Sequence, residues 1–147
     1  MEGAWAITKG ELISLSEQQL VDCFFDRQGS PCMIVPRERL AVRGGEVMVS
    51  RINMETKIIE KVEALGAKLG LIGPCTIQGI QDEEGTFYFT DVNLRFGSGY
   101  VHTISAGGDV SSMVFQELSG QELDSRNPDI NNYSVMTRFP EHIFHHK

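Results

Sequence analysis

IGPCTIQGIQDEEGTFYFTDVNLR, residues 72–95, reads as two β-runs folded about a turn. Strands are expected at 72–81 and 86–94, because β-branched and aromatic residues flank the polar stretch Asp82-Glu83-Glu84-Gly85. Asp91 and Asn93 stand two apart on the second run, so both side chains leave the same face. Folding at 82–85 sets position 78 against 89 and position 76 against 91. Gln78 then lies on that face too, diagonal to Asp91. A carboxylate and two amide oxygens converge, the style of donor that Mg²⁺ prefers. Arg95 follows two positions later in the same alternation and suits a phosphate. The convergence depends on register: a slip of one residue turns Gln78 to the other face. The plain alternative is a strand that ends by entering a polar turn.

The rest of the chain supplies the surroundings. VDCFFD (21–26) and PCMIVP (31–36) are β-rich runs about Arg27-Gln28-Gly29-Ser30, a hairpin signal. A third strand is expected within 40–50, with Gly44-Gly45 as a bulge or a break. Residues 54–69 form the clearest helix: Ile58, Ile59, Val62, Leu65 and Leu69 make one stripe, and Gly70 sits at the C-cap position. Residues 2–20 read as helical, interrupted at Gly10, with a second start at the capping-box spacing Ser14-Leu15-Ser16-Glu17. After the Gly97-Ser98-Gly99 loop, Asp109 or Ser111 caps a helix that runs through Leu118 and ends at Gly120. Gln121–Asn132 reads as a polar surface loop, and 133–139 as a last strand. The expected fold class is α+β: an antiparallel sheet with helices 54–69 and 110–119 packed on it.

Composition bounds the function. At 147 residues, with 41% hydrophobic and 22% charged positions, the chain can bury the core of one globular domain. A net charge of −7 argues against a nucleic-acid partner held by a basic surface. No apolar run is long enough to span a membrane, and no leader pattern opens the chain, so a cytoplasmic location is expected. Cys23, Cys32 and Cys75 are too widely spaced for a disulfide framework or zinc site and read as reduced, buried thiols. His142, His145 and His146 read as an exposed tail.

TFYFTDVNLRFGSGYVHTISAGGD (86–109) resembles the C-terminal signature of ATP-grasp enzymes, in which a Glu-x-Asn-Pro-Arg strand end precedes a glycine-rich loop. GLIGPCTIQGIQDEEG (70–85), AVRGGEV (41–47) and SVMTRF (134–139) resemble other parts of the same half-domain. The nearest kin by this resemblance are domains related to the carbamoyl-phosphate synthase large subunit. The resemblance implies a division into an arm, 1–20, and a partial ATP-grasp domain, 21–147. It implies ATP and Mg²⁺, or Mn²⁺ in its place, with Gln78, Asp91 and Asn93 as metal ligands. Arg95 would meet a phosphate or the acyl phosphate. Asp22, Arg43 and Glu46 would lie near the nucleotide. The implied reaction is phosphoryl transfer from ATP to a small carboxylate, followed by attack of an amine. Three departures stand out: Asp91 replaces the family's Glu, Leu94 its Pro, and Ser98 a loop glycine.

The family clamps its nucleotide between two subdomains, and nothing before Val21 reads as the second. A complementary subdomain or another copy of the chain is therefore an expected partner. The competing reading is a non-catalytic remnant or interaction domain that keeps the fold. EGAWAITKGELISLSEQQLVDC (2–23) resembles instead a papain-type cysteine protease segment, without that family's catalytic residues. An amphipathic arm over the sheet edge is the alternative there.

Overall fold

The computed structural model describes residues 17–123 and 128–139. Six strands form one antiparallel sheet: β1 Glu17–Phe25, β2 Pro31–Arg43, β3 Glu46–Ile52, β4 Gly73–Gln81, β5 Phe87–Asn93 and β6 Val135–Thr137. Their order across the sheet is β5-β4-β1-β2-β3-β6. Three helices are present among the described residues: α1 Thr56–Leu69, α2 Tyr100–Ser105 and α3 Val110–Ser119. The expected α+β class is the one observed. None of these helices is long and apolar enough to cross a membrane.

The turns follow from local chemistry. In the β1–β2 hairpin, Asp26 Oδ1 accepts hydrogen bonds from the Gln28 and Ser30 backbone N–H groups. Asp82 does the same for Glu84 and Thr86 between β4 and β5. These short carboxylates stand in for a backbone acceptor, which is why aspartate suits such turns. Gly44 and Gly45, at φ of 60° and 85°, make a two-residue turn between β2 and β3. Positive φ at both positions is what such a tight hairpin needs. The pair is therefore the turn itself, not a bulge within a strand. The bulges fall nearby, between Arg39 and Val42.

Period-2 alternation divides the core between the two sheet faces. Val21, Cys23, Phe25, Cys75 and Ile77 meet Ile58 and Val62 of α1 on one face. Phe24, Met33, Val35 and Ile52 meet Tyr100, Val110 and Met113 of α2 and α3 on the other. Burying each such aliphatic side chain contributes about 1.5–3 kcal/mol. The helix 54–69 appears as α1, with Gly70 left-handed and its N–H on the Gly66 carbonyl. The helix capped at Asp109 appears as α3, with Asp109 accepting from the Ser112 N–H.

Besides the Gly44-Gly45 turn, which splits the strand expected within 40–50, three expectations change. Residues 17–20 are strand, not helix, because β1 runs unbroken through them between β2 and β4. The papain-like segment thus ends in the first strand, and residues 1–16 lie outside the described residues. Second, β2 does not stop at Pro36. Its ladder with β3 runs from Arg37, opposite Ile52, and the Pro36 carbonyl accepts from the Asn53 N–H at 3.1 Å, so the missing proline N–H falls at the end of that ladder. Third, α2 is a short helix in a stretch where the spacing predicts no element. Cys23, Cys32 and Cys75 are all buried, as expected, and none is in a disulfide. His142, His145 and His146 lie outside the described residues.

Gly79 of β4 is where the sheet has no room. A Cβ there would fall 2.1 Å from the Phe87 ring. Gly79→Ala should cost about 1–3 kcal/mol through forced repacking of Phe87. Urea unfolding measures this as a lower midpoint with an unchanged slope.

Candidate functional site

The site begins with the pairing of β4 and β5. Gln81 pairs with Phe87 and Gly79 with Phe89, but Gln78 pairs with Asp91 and Thr76 with Asn93. The register shifts between Gln78 and Gly79, which leaves Thr90 as an extra residue in β5. The expected pairing of 78 with 89 and 76 with 91 is therefore corrected. Near the turn the strands are offset by one residue from that expectation, and the bulge adds one more. Two offsets restore the parity, so Gln78 shares a face with Asp91 and Asn93 after all. Gln78 is directly opposite Asp91 rather than diagonal to it.

Asn93 Nδ2 donates to Asp91 Oδ2 at 2.7 Å. This leaves Asn93 Oδ1 and the second Asp91 oxygen as acceptors. Asp91 is exposed, while Gln78 and Asn93 are half-buried. Among the described residues, no group of three or more His, Cys, Asp or Glu side chains gathers as a metal cluster. The rim is thus mixed, one carboxylate beside two carboxamides.

Beside it lies a cleft of about 230 Å³, lined among others by Leu20, Arg37, Arg39, Gln78, Asn93 and Arg95. Arg95 is exposed, and its Nη1 donates to the Phe96 carbonyl. Gly97, Ser98 and Gly99 close one side. A Cβ on Gly99 would fall 2.3 Å from the Arg37 nitrogens, so only glycine lets this loop lie on the guanidinium.

Arg37 is fully buried. Its Nε and Nη2 donate to the two Asp22 oxygens at 2.7 and 3.0 Å. Thr103 Oγ1 donates to Asp22 Oδ2 at 2.6 Å. This triad ties β1, β2 and α2 together. Asp22 is buried and fully engaged, so it orients Arg37 rather than presenting a carboxylate to the cleft. Arg43 and Glu46 pair across the β2–β3 turn, next to the lining residues Gly45 and Val47. Glu46, which is exposed, stands 3.6 Å from Nη1 of the half-buried Arg138.

Two further groups hold α2 down. Tyr100 Oη lies 2.8 and 2.7 Å from the Cys23 and Cys75 carbonyls and 3.1 Å from the Cys23 N–H. Burial, then the Asp22 carboxylate, raises the Tyr100 phenol well above its ordinary value, so it stays a donor. His102 is buried, with Nδ1 2.8 Å from Ser50 Oγ and Nε2 3.1 Å from Ser134 Oγ. Burial, then the Arg37 charge, lowers the His102 imidazole below its ordinary value.

Sequence reasoning missed Arg37, Arg39, Tyr100, His102 and Thr103. The alternation Val35-Arg37-Arg39 was a usable signal for the first two, masked by reading Pro36 as a strand end. The α2 residues carried none, since their partners are remote in sequence.

Solved structures show the fold first. The chain is similar to the biotin carboxylase subunit of pyruvate carboxylase, at 18% identity and a TM-score of 0.69 over 84% of this chain and 30% of that one. It is similar to the biotin carboxylase domain of Hydrogenobacter thermophilus 2-oxoglutarate carboxylase, a dimer with MgADP, ADP and bicarbonate. There the identity is 20% and the TM-score 0.66, over 84% and 29% of the two chains. N5-carboxyaminoimidazole synthetase from Staphylococcus aureus, complexed with ADP, gives 15% and 0.67 over 84% and 34%. These likenesses show the ATP-grasp fold, and the chain spans about a third or less of each neighbour. The family described as ATP-grasp in the biosynthetic pathway with Ter operon matches residues 15–138, and the chain belongs to it. No curated protein matches the chain.

Two outcomes are expected. Asp22→Asn should destabilise the fold by about 3–5 kcal/mol in urea unfolding, because it leaves the buried Arg37 charge uncompensated. The lowered His102 pKa means that the unfolded chain binds more protons than the folded one below about pH 6.5. Stability should therefore fall as pH drops through that value toward the folded pKa. His102→Gln should flatten this part of the stability–pH curve.

Proposed function

We propose that the chain is the ATP- and Mg²⁺-binding portion of an ATP-grasp ligase that activates a small carboxylate as an acyl phosphate, in the manner of carbamoyl-phosphate synthase. The observation that carries this is the bulge-set convergence of Gln78, Asp91 and Asn93 beside an arginine-lined cleft, in a chain of ATP-grasp family. One carboxylate with neutral oxygens fits Mg²⁺, which takes few protein ligands and keeps phosphates and waters. Asp91, Asn93 and Gln78 would hold the ion, and the ion would neutralise charge on the phosphates. Mn²⁺ would suit the same donors. Asp91 reaches one methylene less far than the Glu it replaces, which favours binding through a single oxygen.

Arg95 would meet the transferred phosphoryl group or the acyl phosphate. Asp22 acts at one remove, by orienting Arg37. Arg43 and Glu46 would sit at the outer rim, near the nucleotide. The arm at 1–20 and the domain at 21–147 remain our division, with β1 straddling its boundary. Turnover would use a complementary subdomain or a second copy to cover the phosphates; the chain spans about 30% of the carboxylase neighbours. Buried cysteines outside any disulfide accord with a cytoplasmic setting.

The test is thermal unfolding with Mg-ATP. A ligand at 100 times its Kd adds about 2.7 kcal/mol, or roughly 5–11 °C in Tm for a chain of this size. The shift should need Mg²⁺ and should be lost in Asn93→Ala. An unchanged Tm in saturating Mg-ATP overturns the binding reading. Equal shifts in wild type and Asn93→Ala overturn the ligand assignment.

A further inference from the structure

The cleft carries more positive charge than the nucleotide reading uses. Arg37 and Arg39 stand two apart on β2, so both face the cleft, and both line it. Arg37 is balanced by Asp22. Arg27, Arg51 and Arg138 likewise have carboxylate partners in Glu117, Glu38 and Glu46. Arg39 has none among the described residues. It is half-buried, and its Nε is shut off from solvent without an acceptor. Ser50, opposite it on β3, is engaged by His102. Arg37 adds a second orphan: Asp22 takes the Nε and Nη2 edge, and Nη1 is buried with no partner.

Two like charges side by side, one of them uncompensated, are costly in a partly dry cleft. Burial and the Arg37 charge both lower the Arg39 pKa, which expresses the same cost. An arginine held there makes physical sense if an anion arrives to meet it. The planar guanidinium matches carboxylate and phosphate oxygens in pairs. The Gln78–Asp91–Asn93 rim sits on β4 and β5, with β1 between it and β2. The two charge sets are therefore on different strands of one face.

We propose that Arg39, backed by Arg37, forms an oxyanion subsite on the β2 side of the cleft, distinct from the rim on β4 and β5. Its ligand is a carboxylate or a phosphoryl group. The subsite rests on charge and geometry; its place in ligase chemistry rests on the function proposed above. Either the acceptor's carboxylate or a phosphate of the nucleotide would satisfy it.

The test is calorimetric titration of the purified chain with inorganic phosphate, and separately with succinate, in Mg²⁺-free buffer. Wild type should bind at least one of them. Arg39→Gln should weaken that binding about tenfold or more, as expected for loss of a charge-assisted contact. Asn93→Ala should leave it within about twofold, since Asn93 belongs to the rim. Arg39→Gln should also keep or raise the Tm, because it removes a repulsion and no contact.

No anion binding by wild type, equal binding by Arg39→Gln, or a variant that fails to fold each overturns the proposal. Repeating the succinate titration in saturating Mg-ATP names the source. Unchanged succinate binding supports an acceptor-carboxylate subsite, and exclusion supports a nucleotide-phosphate subsite. If Mg-ATP never binds while phosphate binding still needs Arg39, the ligase reading fails and the subsite stands.

Discussion

A buried carboxylate and a buried guanidinium are each unfavourable alone in a protein interior, by several kcal/mol even after relaxation. Asp22 and Arg37 have almost no exposure, so each makes the other tolerable. Their geometry is demanding: two nitrogens on two oxygens, with Thr103 on one of the same oxygens. That demand fixes β1 against β2 and draws α2 onto the sheet. It also sets the height of the Gly97–Gly99 loop, which lies on the same guanidinium. The cleft is the space that remains between this loop, the β2 arginines and the β4–β5 rim.

Tyr100 and His102 extend that constraint in two directions. The Tyr100 hydroxyl sits on the backbone of β1 and β4, while the His102 ring bridges Ser50 of β3 and Ser134 just before β6. A helix as short as α2 has little stability of its own. It persists because its side chains reach across much of the sheet. The uncharged phenol and imidazole suit this role, since neither adds a further charge to an interior that already holds one ion pair.

The β4–β5 bulge is the second decisive feature. Alternation alone placed Asp91 and Asn93 together, and that part was legible in the sequence. The face of Gln78 was a different matter. It depended on how many residues separate the turn from the pair, and the turn-based count gave the wrong opposite number. The outcome kept its face only because Thr90 adds a residue. A bulge is a competition between ladder hydrogen bonds, strand twist and side-chain packing, which involves both strands at once. Phe87 packs over Gly79, beside the shift.

By itself the sequence determined the local elements: the turns at 27–30 and 82–85, the α1 stripe with its Gly70 cap, the Asp109 cap, and the resemblance in residues 86–109. These depend on neighbours a few positions apart, where propensity and periodicity act directly. Tertiary structure decided the extent of β1 and β2, because a central strand continues wherever partners exist on both sides. It decided the burial of Asp22. It also decided the pairing of Asp22 with Arg37 and Thr103 and the isolation of Arg39. Those interactions join residues brought together only by the sheet, and a charge is paired or unpaired only once its surroundings have closed around it.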